Sequence, residues 1–353
     1  MPIHGVRFDE AAIDSGLIAT LRTDDMERYR AVSDTVMINQ WHDDLNWIIV
    51  DSTYPAQIEY RFALLNNHCD MVIGRLPGDE VLAAEKELLG AITDYILITY
   101  PYYFSRNGNC VSSGLSGMTI DVGPEGADPL IAIALLASEE FLLLLPEVRE
   151  TEGSVVYTLK AGALLFSNSW SLKSRFAMPL PAHDDAQARE QWAADRQRSL
   201  NAARLGKSAY EIHSGHISHY MKHFAGRVDR FFSRMLPGMR AWRRNWSLKM
   251  SAELFLHSDA LPAGLPPSTA TNWADRGYLR SEQQAFTKLS TSAAVVFSIK
   301  TYVWKLSGLV KCPLAFKALI VASDNLPPEM VSYRAADLPA FREFLASLRR
   351  KTA

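Results

Sequence analysis

Cysteine is scarce in this chain of 353 residues. Its three cysteines, Cys69, Cys110 and Cys312, lie far apart and form no CxxC pair. Disulfide scaffolds and iron–sulfur clusters both need several cysteines, and clusters need them at short spacings. The sequence therefore argues against a disulfide framework and against an iron–sulfur cluster held within this chain, and it favours a reducing compartment.

Excess charge of one sign and nucleotide-binding loops are also missing. The 37 basic and 39 acidic residues leave a formal net charge of −2, so no overall field attracts nucleic acid or an anionic membrane. Neither a GxGxxG loop nor a GxxxxGK[ST] loop occurs, and nucleotide binding through such loops has no support. We expect small-molecule partners in pockets and no nucleic acid.

Long uninterrupted apolar segments are absent as well. The N-terminal sequence MPIHGVRFDE lacks the basic stretch and apolar run of a signal peptide. The longest apolar run, 129–146, is interrupted by Glu139 and Glu140, and paired carboxylates argue against a membrane span. These features predict a cytoplasmic protein without a membrane partner.

Periodic patterns are present instead, and they predict an α+β fold in which helices surround five or six antiparallel strands. Hydrophobic residues make up 48% of the chain, enough for a sizeable core. Residue patterns predict helices at 78–99, 128–138, 183–210, 226–236, 313–323 and 336–350. Strands are predicted at 47–50, 140–146, 154–168, 241–250, 278–282 and 293–304, and a loop at 101–109.

Four segments describe the predicted organisation. Residues 1–127 form an N-terminal helical segment that wraps around and packs on a core at 128–335. Residues 183–210, which are charged and rich in alanine, form a helical insertion in that core. A C-terminal helix occupies 336–353.

Four of the nine histidines lie within residues 211–223. On a helix, His213, His216, His219 and His223 would fall within an arc of about 120° and so share one face. Imidazole is the commonest metal-binding side chain. The face could hold zinc or supply one axial ligand to haem, and a solvated stripe is the alternative without a metal.

Two further segments carry polar side chains in a strand pattern. In AWRRNW, 241–246, alternation puts Arg243 and Asn245 on one face. A fixed guanidinium there could donate to a haem propionate or to dioxygen, or it could pair with an acidic residue at the surface. In YLRSEQQAF, 278–286, one face carries Arg280, Glu282 and Gln284. Taken alone, this face is expected to be the solvent side, since a buried version requires mutual pairing.

Together these segments resemble the haem-dependent oxidative N-demethylase family over roughly residues 35–335. The most specific part of the resemblance is LRSEQQAFTKLSTSAAVVFSIKTY at 279–302. The segments that precede it in the same order are Trp47, DSTY at 51–54, Tyr100, Pro101, Phe104, SNSWSLKSRF at 167–176, IH at 212–213 and WRRNWSL at 242–248.

The resemblance implies a PAS-like antiparallel sheet flanked by helices, with N- and C-terminal helical extensions, that binds haem b. It implies a monooxygenase that oxidises a small amine or related metabolite with dioxygen. Electrons would come from an external donor, through flavin or iron–sulfur centres of a reductase partner that uses NADPH.

Residue roles follow from the same resemblance. His213 corresponds to the proximal haem ligand and is the expected metal ligand. Arg243 and Glu282 are the expected catalytic residues, and Arg280 and Asn245 the expected cofactor-binding residues.

The sequence departs from the family in two places near the expected site. His213 is not followed by the family's Pro-Val-Pro, and Gln283 stands where the family has an arginine. Two alternatives remain open. One is a haem-based PAS sensor of gas or ligand without turnover, and the other is a non-haem metalloprotein that uses His216, His219 and His223.

Overall fold

The structure is a computed structural model. It describes residues 39–40, 47–148, 155–168, 171–173, 186–214, 227–256, 273, 276–309, 319–320 and 338–352. His216, His219 and His223 lie outside these ranges, as does most of the helix predicted at 313–323.

The described strands and helices alternate along the chain. The strands are β1 (Asn39–Gln40), β2 (Ile73–Arg75), β3 (Phe104–Asn107), β4 (Cys110–Ser113), β5 (Thr119–Asp121), β6 (Glu140–Val148), β7 (Val155–Ala163), β8 (Arg240–Lys249), β9 (Tyr278–Lys288) and β10 (Val295–Lys305). The helices are α1 (Tyr54–Val72), α2 (Asp79–Thr99), α3 (Pro129–Leu136), α4 (Ala186–Ala202), α5 (Ala209–Ser214), α6 (Arg227–Arg234), α7 (Leu306–Leu309) and α8 (Leu338–Thr352).

A seven-stranded sheet organises the fold, with strand order β1-β8-β9-β10-β6-β7-β2. Each neighbouring pair in it is antiparallel. A separate three-stranded sheet has the order β3-β4-β5. The predicted α+β class with an antiparallel sheet is therefore confirmed.

The two sides of the large sheet are covered by different helices. Successive side chains on a strand point to opposite sides, so Phe141 and Leu143 face the first side and Leu142 and Leu144 the second. The first side packs against the buried residues of α1, α2 and α3. On the second side, α5 and α6 pack against β6, β7 and the start of β10 through residues such as Phe232.

Local sequence explains how α3 begins. Asp128 is its N-cap and accepts hydrogen bonds from the backbone N–H of Leu130 at 3.0 Å and of Ile131 at 3.4 Å. Arg75 of β2 donates two hydrogen bonds to the same carboxylate, at 2.6 and 2.7 Å, and a third to Glu85 of α2 at 2.9 Å. One guanidinium thus joins β2, α2 and α3.

Most predicted elements are confirmed, and two predictions are wrong. The helices at 78–99 and 128–138 correspond to α2 and α3, and the C-terminal helix to α8. Residues 47–50 are not a strand, and 101–109 is not only a loop, because β3 lies within it. The predicted helix at 183–210 contains α4 and the start of α5.

Side chains explain why 47–50 stays irregular. Tyr95 Oη accepts from the Trp47 N–H at 2.9 Å, and Tyr100 Oη donates to the Ile48 carbonyl at 2.7 Å. Glu139 Oε1 accepts from the Ile49 N–H at 2.8 Å. These groups provide the hydrogen bonds that a neighbouring strand would otherwise supply.

No helix in the described part of the chain is long and apolar enough to cross a membrane.

Candidate active site

The second side of the sheet carries polar residues on three adjacent strands, which we call the polar strip. Cross-strand partners in an antiparallel sheet share a side. By backbone register, three rows cross β8, β9 and β10 at the strip, and Thr301 is the polar member that β10 contributes: Ser247, Arg280 and Val303; Asn245, Glu282 and Thr301; Arg243, Gln284 and Ile299.

The β9 members of the polar strip are paired with one another. Arg280 is only 1% exposed; its Nη1 donates to the Leu254 carbonyl at 3.1 Å and its Nη2 to the Phe166 carbonyl at 2.5 Å. Its Nε lies 3.5 Å from Glu282 Oε1, and Gln284 Nε2 donates to Glu282 Oε2 at 2.9 Å. The solvent-facing interpretation of this strand is therefore wrong, and the mutual pairing that burial requires is present.

Burial also lowers the pKa values of two cations near Glu282. It lowers the pKa of Arg280, which the neighbouring Glu282 carboxylate partly offsets. Lys249, in the last position of β8 and opposite Tyr278, is half-buried. Burial, with a smaller effect of the Arg280 charge, lowers its pKa to about 8. Sequence reasoning missed Lys249, because nothing in its local pattern reveals burial.

A buried ion pair borders the strip. Glu140 of β6 lies opposite Ile299 in the register, and its Oε1 accepts from Arg61 Nη1 of α1 at 2.8 Å. The Arg61 guanidinium also lies 5.1 Å from the centre of the Phe166 ring. Since the Phe166 carbonyl accepts from Arg280, Arg61 and Arg280 both contact Phe166.

The backbone of His213 lies in the last turn of α5, on the second side of the sheet. Ser208 precedes this helix and forms a reciprocal cap with Glu211, through Ser208 N to Glu211 Oε2 at 2.8 Å and Glu211 N to Ser208 Oγ at 3.3 Å. Ala209 and Ile212 pack in the same cluster as Ile299. The helix of His213 and the polar strip therefore share one side of the sheet.

Strand order sets the spacing between these two parts. α5 contacts β7, and β7 lies three strands from β9, which is roughly 14 Å across the sheet. Arg243 and Asn245 are placed by the register alone, opposite Gln284 and Glu282. The structure thus brings the backbone positions of four predicted residues, Arg243, Asn245, Arg280 and Glu282, into one strip and sets His213 to one side of it.

A cavity lies apart from the polar strip. It has a volume of about 540 Å³ and is lined by Glu147, Val148, Val156, Thr158, Gly206, Ser208 and Glu211. None of the predicted site residues lines it. Its lining includes Ser208 and Glu211, at the start of α5.

Non-haem metal binding has no support among the described residues. Within those ranges, no three His, Cys, Asp or Glu side chains lie close enough together to hold a metal ion. The alternative based on His216, His219 and His223 stays a prediction, since these residues lie outside the described part. A haem needs only one protein histidine.

Comparison with protein families gives one match. The family model "Haem-dependent oxidative N-demethylase, alpha subunit-like" matches residues 39–186 and 200–339. The matched ranges contain every strand of the large sheet, and the stretch between them, 187–199, lies in α4. No match was found among curated proteins.

Proposed function

This chain belongs to the haem-dependent oxidative N-demethylase, alpha subunit-like family, and from that membership we propose that it is a haem-dependent oxidoreductase that removes a methyl group from a small amine. The family match over both parts of the chain carries this conclusion. A PAS-like assignment of the antiparallel sheet is part of the proposal.

The second side of the sheet fits haem b in its chemistry. His213 offers one imidazole at the end of α5. Phe286 and Phe297, stacked with ring centres 4.7 Å apart and partly exposed, border the polar strip and offer an apolar aromatic surface. The buried hydroxyl of Thr301, which has no hydrogen-bond partner among the described residues, leaves a polar atom for a bound group. These observations support haem on this side of the sheet.

The proposed roles divide between the helix and the strip. His213 would hold the haem iron through its imidazole. Arg243 would supply a cation that donates hydrogen bonds toward dioxygen, and Asn245 would help to hold the cofactor. Glu282 binds the amine and accepts a proton at its carboxylate. Arg280, which we predict to contact the cofactor, also fixes Glu282 from 3.5 Å.

Haem, when bound, supplies an iron centre that takes up single electrons and activates dioxygen. In the overall reaction the methyl carbon leaves as formaldehyde with one oxygen atom. Two electrons and two protons reduce the other oxygen atom to water.

The electrons require a partner. The description "alpha subunit-like" supports a second subunit or reductase, and we propose flavin or iron–sulfur centres there, supplied by NADPH. None of the described cysteines is paired: Cys69 and Cys110 are both free thiols.

The test is turnover by the haem-reconstituted full chain. With a chemical reductant and dimethylamine, we expect amine-dependent oxygen consumption and formaldehyde in equal amounts. Glu282→Gln should retain haem and lose most of the rate. A wild-type chain that binds haem and dioxygen but consumes no oxygen with any small methylated amine would contradict the proposal and favour the sensor alternative.

A further inference from the structure

Thr301 carries a buried hydroxyl that the fold itself does not use. The residue is 1% exposed, and its Oγ1 has no hydrogen-bond partner among the described residues. Buried hydroxyls are normally hydrogen-bonded, because an unpaired one loses its bonds to water without replacement. An unpaired hydroxyl in a ligand-binding region therefore points to a group that the protein does not supply.

The position of Thr301 is fixed by its neighbours. Gln57 Nε2 of α1 donates to the Thr301 carbonyl at 3.2 Å. The same glutamine accepts at Oε1 from the buried Lys300 ammonium at 2.9 Å, and Lys300 also donates to Ser138 Oγ at 2.5 Å. These contacts hold the strand from the first side of the sheet, while the Thr301 side chain belongs to the second side.

The hydroxyl lies beside the carboxylate of the proposed site. Thr301 is the cross-strand partner of Glu282, and directly opposed residues of an antiparallel pair have Cβ atoms about 4.5–5.5 Å apart. Two other residues of β9, Arg280 and Gln284, orient the Glu282 carboxylate through their contacts with its oxygens. A hydroxyl oxygen and a carboxylate therefore form two hydrogen-bond acceptors in one row.

We propose that Thr301 is a specificity-determining residue that accepts one N–H of the substrate amine while Glu282 accepts another. This inference rests on the proposed function. A protonated secondary amine has two N–H groups and uses both acceptors, whereas a protonated tertiary amine has one. The row Glu282 and Thr301 thus selects secondary over tertiary methylamines.

Binding titrations of the haem-reconstituted full chain test this selection. Dimethylammonium and trimethylammonium are the probes, and the shift of the Soret band is the readout. The wild-type chain should prefer dimethylammonium by about tenfold, the worth of one hydrogen bond at the upper end of its usual range. Thr301→Val should weaken dimethylammonium binding by about that factor and leave trimethylammonium within about twofold. Thr301→Ser, which keeps the hydroxyl, should retain the preference.

Thr93→Val is the matched control. Thr93 is 2% exposed, and its Oγ1 likewise has no hydrogen-bond partner among the described residues, but it lies on α2, which packs on the first side. This variant should bind both amines as the wild type does. If Thr301→Val keeps the preference, or if Thr93→Val loses it equally, the inference is wrong.

Stability of the haem-free chain gives a second readout. Because the hydroxyl has no partner among the described residues, Thr301→Val should unfold at the same or a higher urea concentration than the wild type. A clear drop would show that the hydroxyl has an internal partner and would overturn the inference. If the valine variant does not fold, Thr301→Ala removes the hydroxyl instead.

A wild-type chain without a Soret band overturns the proposed function as well, whereas a retained preference in Thr301→Val overturns only this inference.

Discussion

Replacing Arg61 with methionine should destabilise the protein more than any exposed substitution. The Arg61 side chain is fully buried and forms an ion pair with the equally buried Glu140 at 2.8 Å. It also donates to the carbonyl oxygens of Ala134, Ser138 and Glu139, at 2.7, 3.3 and 2.8 Å. Arg61→Met keeps the apolar volume and removes every one of these donors.

The expected loss is about 3–5 kcal/mol of unfolding free energy, because a buried carboxylate is left without its counter-charge. That is a large part of the usual 5–15 kcal/mol or so that a domain has in total. Burial raises the pKa of Glu140, and Arg61 opposes this rise. Without Arg61 the folded-state pKa rises further above the unfolded value of about 4.3. The folded state then binds more protons in that window, so the deficit should shrink as the pH falls from the folded-state pKa toward about 4.

Urea unfolding at pH 7 and pH 5 measures the effect, and a double-mutant cycle attributes it. In Arg61→Met/Glu140→Gln the buried charge is gone, and we expect the double variant to be more stable than Arg61→Met alone by about 2 kcal/mol. Strictly additive losses in the two single variants, or a pH-independent deficit in Arg61→Met, would refute the reasoning.

Two further predictions concern Lys249 of β8 and Glu87 of α2. Lys249→Met should raise the free energy of unfolding at pH 7 by about 1–2 kcal/mol, because burial and the Arg280 charge disfavour the ammonium. The unfolded wild type binds more protons than the folded one between pH 8 and about 10.4, so wild-type stability should rise through that window. Thermal melts at pH 7, 9 and 10.5 should show the difference between variant and wild type vanish. Glu87→Gln should cost about 1–2 kcal/mol at pH 7, because the carboxylate accepts from the Thr291 and Ser292 N–H groups at 2.6 and 2.8 Å. Those bonds lower the pKa of Glu87 despite its partial burial, so the difference should disappear as the pH falls through the folded-state pKa, and a deficit that persists at pH 2 would contradict this explanation.

Sequence periodicity predicted the elements whose burial follows a simple pattern. α2 buries Val81, Leu88, Ile92 and Ile96 at helical spacing, which is the pattern that predicted it. β6 and β10 were predicted by runs of apolar and β-branched residues. Such elements are visible because the hydrophobic side chains alone decide which face is buried.

The elements that the sequence did not predict either bury polar side chains or consist of strands with exposed side chains. α1 buries Gln57 and Arg61 among its apolar residues, which disrupts the apolar repeat, and the polar partners of both lie far away in sequence. β3 exposes Ser105, Arg106 and Asn107, so only the turn residues were visible. Tertiary hydrogen bonds, which the sequence does not display, hold Gln57 and Arg61 of α1. β3 instead pairs with its neighbour β4 across a short turn.

In the candidate site, too, alternation along the strand was visible in the sequence, whereas burial was not. The strand alternation placed Arg280, Glu282 and Gln284 on one face, and the structure confirms this arrangement. Burial of that face could not be predicted, since the Phe166 and Leu254 carbonyl oxygens that accept from Arg280 are contributed by backbone distant in sequence. Thr301 gave no signal for the same reason, because an unpaired hydroxyl is visible only once its surroundings are known.

The most direct test of the account is the visible spectrum of the haem-reconstituted wild type beside His213→Ala. We predict a Soret band in the wild type that is lost or strongly shifted in the variant, and that is unchanged in the control His68→Ala, whose ring stacks on Phe255 at 5.7 Å. An identical Soret band in His213→Ala would contradict the assignment of the axial ligand, and a wild type without any band would contradict haem binding itself.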